Sequence, residues 1–414
     1  MNQKEKSGSE AIPESIYKLF AENEHGMLLK GPEGNSSVFS WMAGFGIKRS
    51  ILLRENEPVF EKLKRFFPAE NIVLGHFCYD IKNSIEDLQS AHISGLNFPP
   101  AFFFIPQMIF GPGNLPQVSL THNSAVIPID AFSGVVGLKE RTPKEKYISV
   151  VKKLLEHIHR GDIYEINYCM EFFAEKVHID PVSVFKTLDG LYEAPFSALY
   201  RNGNQWLICA SPERFLEKNG EKIISQPIKG TRPRGKIPEE DAKLKEELLH
   251  DEKERSENVM IVDLVRNDLS KSAKKGSVKV DELFGIYSFK PVHQMISTVS
   301  AELAENIHPV DAIRNAFPMG SMTGAPKIRA MQLAEQYEDM KRGLYSGAVG
   351  YFTPEMDFDF NVVIRSIQYN ADTGYLSFMV GSAITANADP EKEYAECLVK
   401  ARALFEALGL KLKV

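Results

Sequence analysis

The chain has 414 residues, of which 43% are apolar and 25% charged, and 55 acidic against 49 basic residues give a formal net charge of −6. This composition is ordinary for a globular protein, and the weak acidic excess argues against broad electrostatic binding to nucleic acid, which needs a basic surface. It leaves an anionic small substrate open, because local charge can differ from net charge. A zinc-binding CxxC pair and a dense disulfide framework are excluded by the wide spacing of the four cysteines, Cys78, Cys169, Cys209 and Cys397.

Membrane insertion and export are not expected. The amino-terminal sequence MNQKEKSGSE is polar and lacks a signal-peptide core, and the most apolar run, residues 99–113, is too short and too rich in proline to span a bilayer. A cytoplasmic protein is therefore predicted.

The first part of the chain is predicted to be rich in β-strands. Residues 1–10 form a predicted disordered tail, and residues 11–140 carry short apolar runs separated by Gly, Pro and Asn. Apolar residues at helical spacing then predict a helix from about residue 143, ending near Gly161. Strands follow over residues 163–177 and again, joined by tight Asn-Gly turns, over 196–230.

The remaining pattern alternates helices and strands. Helices are predicted at 239–270, 308–316, 325–338 and 390–408, and strands at 343–352, 360–370 and 374–385. Together the elements predict an α+β fold with large antiparallel sheets and helices on their outer faces. Residues 11–414 are predicted to form one domain, with a looser part at 11–140 and a core at 141–414.

Two carboxylate doublets are candidate metal ligands. Glu254 and Glu257, and likewise Glu393 and Glu396, stand three residues apart, so each doublet lies on one helix face. If two such helices face each other, four carboxylates could bind a hard cation such as Mg²⁺. Two solvated helix faces with lysine partners explain the spacing equally simply, and from spacing alone this alternative is favoured.

Three further features could carry chemistry. The glycine-rich run at 317–327 precedes a helix and could present backbone N–H groups to an anion, although a plain turn is an equal alternative. Lys229, in QPIKGTRPRG, could be a desolvated lysine with a lowered pKa, or a surface lysine. Tyr345 and Arg365, on predicted adjacent strands, could bind a carboxylate, or Arg365 could be structural.

The order and the sequences of these motifs resemble those of the chorismate-utilising enzymes, which include anthranilate, aminodeoxychorismate, isochorismate and salicylate synthases. The resemblance covers about residues 140–408 and rests on GDIYEINYCMEF, ASPERFL, QPIKGTRPRG, DEKERSENVMIVDLVRNDL, VHQMISTV, FPMGSMTGAPKIRAMQL, RGLYSGAVGYF, VVIRSI and GSAITANADPEKEYAECLVKARAL. It implies the fold of anthranilate synthase component I, with two sheets packed as a sandwich.

Within this family, QPIKGT most resembles the aminodeoxychorismate synthases. Anthranilate synthases usually carry Ala where Lys229 stands, and isochorismate-type enzymes place a Lys base where this chain has Glu165. Related synthases often have Gln at that position. Glu165 is expected to be a silent lineage difference, although a carboxylate there could serve as a base or hydrogen-bond acceptor near C2 of the substrate.

The resemblance also implies roles for individual residues. Glu213 would protonate the C4 hydroxyl of chorismate as general acid, with a pKa raised by burial, and Lys229 would attack C2. The four carboxylates would hold Mg²⁺, assisted by Lys400. The remaining implied contacts are Tyr345, Arg365 and the backbone at Gly381 for the enolpyruvyl carboxylate, Ser321, Gly320, Thr323 and Gly324 for the substrate, and His293 beside the ring.

The implied product is 4-amino-4-deoxychorismate, made with ammonia from a separate glutamine amidotransferase subunit, since no cysteine lies in a glutaminase-type elbow. A separate pyridoxal-phosphate lyase would convert it to 4-aminobenzoate for folate. GMLLKGPEG, at 26–34, lacks the ES of the tryptophan-binding LLES motif, so feedback by tryptophan is not expected. Alternatives are anthranilate synthase component I and a non-catalytic chorismate-binding paralogue.

Overall fold

The computed structural model describes residues 11–32, 39–55, 57–67, 70–112, 135–290 and 292–412. The tail predicted at 1–10 lies outside the described residues. No helix in these ranges combines the length and apolarity that a membrane span requires.

The described chain contains both helices and strands along its length. The helices are α1 Glu14–Glu22, α2 Val59–Phe66, α3 Lys144–His159, α4 Pro181–Tyr192, α5 Pro238–His250, α6 Glu252–Ser270, α7 Pro309–Ala316, α8 Lys327–Tyr337 and α9 Pro390–Ala407. The strands are β1 His25–Lys30, β2 Trp41–Phe45, β3 Arg49–Leu53, β4 Val73–Phe77, β5 Ala101–Ile105, β6 Met108–Phe110, β7 Lys139–Glu140, β8 Glu165–Ala174, β9 Phe196–Asn202, β10 Gln205–Ser211, β11 Arg214–Asn219, β12 Lys222–Gln226, β13 Ile228–Pro233, β14 Lys279–Ser288, β15 Val292–Glu302, β16 Gly324–Ala325, β17 Ala348–Phe352, β18 Phe358–Asn361, β19 Ser366–Asn370 and β20 Tyr375–Thr385.

The strands form two antiparallel sheets. The first has the order β16-β8-β20-β19-β10-β9-β1-β2-β6, with β7 beside β8, and the second has the order β13-β15-β12-β11-β18-β17-β4-β5-β3, with β14 beside β15. Because the two sheets contain strands from both ends of the chain, the looser part at 11–140 is built into the same sheets as the core. The predicted α+β class is confirmed.

Three apolar clusters hold the layers together. One joins the outer face of the first sheet to α1, α3, α4, α8 and α9, and a second joins the outer face of the second sheet to α2, α6 and α7. The third lies between the sheets, where Met27 and Leu207 of the first sheet meet Leu74 and Phe104 of the second. The molecule is therefore a sandwich of two sheets with helices outside, as predicted.

The predicted helix at 239–270 is two helices. Asp251 has an extended backbone (φ −68°, ψ 113°) and ends α5, and its side chain accepts a hydrogen bond from the backbone N–H of Glu254 at 3.0 Å. An aspartate in this position satisfies an N–H group that has no partner within the helix. The prediction merged the two helices because only Asp251 separates them and no glycine or proline marks the break.

The predicted strand at 360–370 is also divided. Its first part is β18 of the second sheet and its last part is β19 of the first sheet. Arg365 lies between them in the left-handed region, with φ of +51°, and Tyr345 lies in the turn before β17. The prediction that Tyr345 and Arg365 stand on adjacent strands is therefore wrong, because the chain crosses between the sheets at this point.

Local turn signals were reliable. The Asn-Gly turns join β9 to β10 and β11 to β12, with Gly203 and Gly220 at φ of +62° and +59°. Helices α1, α2 and α4 were not predicted. Of these, α4 matters for the site, and it begins at an aspartate N-cap, Asp180, followed by proline.

Candidate active site

A cavity of about 700 Å³ lies where the β8–β20 end of the first sheet meets the β13–β15 end of the second. Helices α4, α6 and α9 close its sides. Its volume falls within the range of about 300–1,000 Å³ that is usual for ligand sites. Most of the sequence-predicted residues line it, namely Glu213, Lys229, Glu254, Glu257, Ser321, Tyr345, Arg365, Gly381, Glu393, Glu396 and Lys400.

Glu213 is a buried carboxyl group, with 4% of the residue exposed, in the short connection between β10 and β11. Burial raises its pKa to about 7, while Ser321 and the Lys229 ammonium oppose the rise. The Ser321 hydroxyl is itself buried and has no hydrogen-bond partner of good geometry within the described ranges. Glu213 can therefore hold a proton near neutral pH, as a general acid must.

Lys229 is buried on β13 and differs from the sequence prediction in its charge. Burial lowers its pKa, but Glu165, Glu257 and Glu213 outweigh burial and raise the pKa above the usual lysine range. Its Nζ donates to Oε1 of Glu165 at 2.5 Å. The expected lowered pKa is wrong, because several carboxylates face the same ammonium group.

Arg365 is held in position by neighbours from two helices. Its guanidinium donates to the Tyr192 hydroxyl of α4 at 3.2 Å and to the carbonyl of Lys400 in α9 at 2.9 Å. These contacts fix a guanidinium group on the cavity wall, and Tyr345, which is buried, lines the same cavity. The pair is thus brought together by the tertiary structure, with N–H groups of Arg365 suited to an anion such as a carboxylate.

The two carboxylate doublets face each other across the cavity on α6 and α9. Lys253 lies between them, with its Nζ 3.7 Å from Glu257 and 3.5 Å from Glu393. Burial raises the pKa of Glu257 to about 7, and its Oε1 is buried without a hydrogen-bond partner in the described part of the chain. This arrangement favours an additional positive charge at Glu257 and Glu393.

The outer member of each doublet has its own cation. Arg232 donates to Glu254 at 3.2 Å, and Lys400 Nζ lies 2.6 Å from Glu396 and donates to the carbonyl of Gly381 at 2.9 Å. Within the described ranges, no group of three or more His, Cys, Asp or Glu side chains converges closely enough to hold a metal ion by itself. The donor set fits Mg²⁺ bound by a few carboxylates together with water and substrate oxygens, which is the usual arrangement for that ion.

Five predicted contacts do not line the cavity, and one of them, Glu165, lies behind Lys229 and contacts that lysine instead. The others are His293, Gly320, Thr323 and Gly324. His293 is bonded to Ser288 and Asp241 at 2.8 and 2.9 Å on the opposite side of β15, and its neighbour Gln294 lines the cavity instead. The prediction for His293 is wrong because side chains alternate along a strand.

Gly320, Thr323 and Gly324 have structural roles in the glycine-rich run. The N–H of Thr323 donates to the carbonyl of Gly320 at 3.0 Å, and its hydroxyl is bonded to backbone carbonyls. Lys327 is bonded to Asp268, to the carbonyl of Ala316 at the end of α7 and to the carbonyl of Pro318 in the turn. The run is therefore a packed turn, and Ser321 is its predicted contact in the cavity.

Several residues of the site were missed by the sequence analysis. Lys253 could have been found, because it precedes the first doublet and is four residues from Glu257 on the same helix. Tyr192, Arg232 and Gln294 carry no local signal, since they reach the cavity only through the packing of α4, β13 and β15.

Comparison with known proteins gives the family. A family model described as chorismate binding enzyme matches residues 28–406. The chain is 33% identical to anthranilate synthase component 1 of Thermus thermophilus, over 96% of this chain and 95% of that protein. It belongs to the chorismate binding enzyme family.

Aminodeoxychorismate synthases match a shorter region. The chain is 43% identical to the enzyme of Streptomyces griseus over 65% of its own length, and 38% identical to component 1 from Bacillus subtilis over 64%. The matched regions span 37% and 56% of those two relatives.

A solved structure of anthranilate synthase component I from Streptococcus pneumoniae has the same fold. It superposes with a TM-score of 0.76 at 22% identity, covering 97% of this chain and 94% of that one. The predicted anthranilate synthase-like fold is confirmed.

Proposed function

We propose that this member of the chorismate binding family is an aminodeoxychorismate synthase component I, which converts chorismate and ammonia to 4-amino-4-deoxychorismate. The observation that carries the proposal is a buried lysine, Lys229, in the same cavity as Glu213, a carboxyl group with a pKa of about 7. Relatives named aminodeoxychorismate synthase, at 38–43% identity, support it.

Glu213 and Lys229 would divide the substitution into two displacements. Protonated Glu213 gives its proton to the C4 hydroxyl, which leaves as water while the neutral amine of Lys229 forms a bond to C2 and the ring double bonds shift. Ammonia then bonds to C4, the C2–N bond breaks, and the ionised Glu213 takes the proton released by the new amine. The lysine intermediate explains why nitrogen ends at C4, whereas direct attack by ammonia would place it at C2.

Positively charged and polar groups of the cavity are proposed to bind the substrate. Chorismate is a dicarboxylate, and Arg365, held by Tyr192 and by the Lys400 carbonyl, would bind the enolpyruvyl carboxylate with Tyr345 and the backbone at Gly381. Ser321, which lies beside Glu213 and opposes the rise in its pKa, would bond the substrate near that carboxyl group.

Mg²⁺ is proposed as the cofactor. Glu257 and Glu393, which share Lys253, would bind it, and Glu254 and Glu396 would act directly or through water. When bound, the ion would neutralise the ring carboxylate of chorismate. Lys253 has 51% of its side chain exposed, so it can swing into solvent as the ion enters.

The ammonia source is proposed to be a separate subunit. Burial raises the pKa of each described thiol, at Cys78, Cys169, Cys209 and Cys397, so none of them resembles the exposed thiolate that a glutaminase requires. The name component 1 of the Bacillus subtilis relative supports a second component. A downstream lyase would complete 4-aminobenzoate for folate.

Anthranilate synthase component I is the second candidate, favoured by the relative from Thermus thermophilus that matches almost the whole chain. The products discriminate between the two. With chorismate, Mg²⁺ and ammonium, an aminodeoxychorismate synthase forms 4-aminobenzoate only when a lyase is added, whereas an anthranilate synthase forms fluorescent anthranilate without one.

The lysine intermediate has a direct test. Incubation with chorismate and Mg²⁺ but no ammonia should add the mass of the dehydrated substrate to the protein, and Lys229→Ala should abolish that addition. Lys218→Ala is the matched control, because the side chains of Lys218 and Lys229 are both 9% exposed but Lys218 pairs with Asp357 outside the cavity. Unchanged synthase activity in Lys229→Ala, together with no adduct in the unaltered protein, would refute the mechanism.

A further inference from the structure

Glu165 and Lys229 form a buried pair that joins the two sheets. Glu165 begins β8 of the first sheet, Lys229 lies on β13 of the second, and Nζ donates to Oε1 at 2.5 Å. The side chains are 3% and 9% exposed. Among the described residues, Glu165 is the only group that accepts a hydrogen bond from this ammonium.

The carboxylate is held by tight backbone packing. The backbone of Glu165 pairs with Ala325 of β16 on one side and with Thr385 of β20 on the other. A Cβ atom at Gly324 would lie 2.1 Å from the carbonyl oxygen of Glu165, so only glycine allows β16 to approach this closely. The packed turn at 317–327 thus fixes the strand end from which Glu165 reaches Lys229.

Attack by Lys229 requires a proton acceptor. The amine is a nucleophile only when neutral, and the carboxylates around it favour the ammonium form. Glu213 already carries the proton that must go to the departing hydroxyl, and Glu257 is assigned to the metal. The charged groups that face Lys229 are Glu165 from β8, Glu213 from the β10–β11 connection, Glu257 and Lys253 from α6, and Glu396 from α9.

We infer that Glu165 is the base that takes a proton from the Lys229 ammonium and later returns it. This inference rests on the proposed function. In the first half-reaction, one proton moves from Nζ to Oε1 of Glu165 as the Nζ–C2 bond forms and the C4–O bond breaks. In the second half-reaction, the C2–N bond breaks and Lys229 leaves as the neutral amine. Glu165 then returns the proton to Nζ, so that Lys229 is again an ammonium. Both residues end in their starting states, so no other reactant is needed.

The inference changes the expectation for position 165. A silent difference from Gln is not expected to place the carboxylate 2.5 Å from the attacking nitrogen. A glutamine could still accept the hydrogen bond but could not take the proton. The exchange Glu165→Gln therefore separates proton transfer from positioning.

The test is the single-turnover rate of Lys229 adduct formation with chorismate and Mg²⁺, without ammonia, followed by rapid quenching and intact-mass analysis. Glu165→Gln should slow adduct formation at pH 7 by about 10²-fold, the lower range for loss of general base catalysis. The ratio of the unaltered rate to the Glu165→Gln rate should fall as pH rises, because hydroxide increasingly removes the lysine proton. Titration of Glu213 affects both proteins and cancels in the ratio.

Two further variants complete the test. Glu165→Asp, which keeps the carboxylate, should recover part of the rate and should show a ratio that changes little with pH. Glu171→Gln is the matched control. Glu171 is a buried carboxylate on the same strand, and it is hydrogen-bonded to Ser377 and Tyr375. The rate of Lys229 adduct formation in this variant should be unchanged.

The outcomes are distinct. An adduct that forms in Glu165→Gln at the unaltered rate, or a rate ratio that is constant with pH, would overturn the role of Glu165 and leave the proposed function standing. A protein that makes 4-amino-4-deoxychorismate without any adduct would overturn the lysine mechanism and this inference together.

Discussion

The substitution Glu213→Gln should have opposite effects on stability and activity. The pKa of this carboxyl group rises from 4.5 to about 7 on folding, because the group is buried. Below pH 4.5 both the folded and the unfolded protein hold the proton, so ionisation of Glu213 does not change the free energy of unfolding. Between the two pKa values only the unfolded state ionises, so the free energy of unfolding falls by a total of about 3 kcal/mol, and above pH 7 the loss stays constant. Glutamine has nearly the same shape and cannot ionise.

Urea unfolding at two pH values measures this difference. Relative to the unaltered protein, Glu213→Gln should gain about 2.5 kcal/mol of unfolding free energy between pH 5 and pH 8. Glu217→Gln is the matched control, because burial also raises the pKa of Glu217 to about 7 but its side chain lies outside the cavity lining. It should show a gain in the same direction, while its activity stays unchanged.

The same ionisation sets the pH dependence of activity. Because the general acid must be protonated, kcat/KM for chorismate with saturating ammonia and Mg²⁺ should fall about tenfold per pH unit above pH 7. Glu213→Gln should lose about 10²–10⁴-fold in turnover. A stability difference that is the same at pH 5 and pH 8, or a kcat/KM with no descending limb near pH 7, would refute the assignment of Glu213 as a buried neutral acid.

Three further predictions follow from contacts in and beneath the cavity. Arg365→Lys should raise KM for chorismate about 10- to 100-fold in steady-state kinetics, because an ammonium cannot replace a charge-assisted pair of N–H donors worth about 1.5–3 kcal/mol; an unchanged KM would remove Arg365 from the carboxylate site. Lys253→Met should tighten Mg²⁺ binding in calorimetry, because it removes the cation between the doublets, and Glu257→Gln should weaken it; equal affinities would contradict the assigned ligands. Arg342→Met should lower the free energy of unfolding, measured in urea, by about 3–5 kcal/mol, since it leaves the buried carboxylate of Glu338 without its cation. The double substitution with Glu338→Gln should recover part of that loss.

Helix and strand types were largely predictable from the sequence, because they depend on local periodicity. Helices α3 and α9 and the strands around the Asn-Gly turns were found from apolar spacing and turn chemistry. Boundaries failed where a single residue changes the direction of the chain. Asp251 divides α5 from α6, and the left-handed Arg365 lies between β18 and β19. No glycine or proline marks either break.

The sequence predicted which residues form the candidate site better than it predicted how those residues are arranged. The motifs around Glu213, Lys229 and the doublets identified residues that do line one cavity. The direction of each side chain was not predictable, as His293 illustrates. Neighbouring residues on β15 point to opposite faces of the sheet, so an error of one position places a side chain on the wrong face.

By itself, the sequence determined the family, the α+β class and most of the residues that line the cavity, since these depend on residue type and order. Only the tertiary structure decided the contact between Lys229 and Glu165 and the direction in which the pKa of Lys229 is shifted. The two residues are 64 positions apart on different sheets, and their contact exists because the sheet ends meet at the cavity. A pKa depends on the groups that surround a side chain in space, and the carboxylates that surround Lys229 come from four separate parts of the chain.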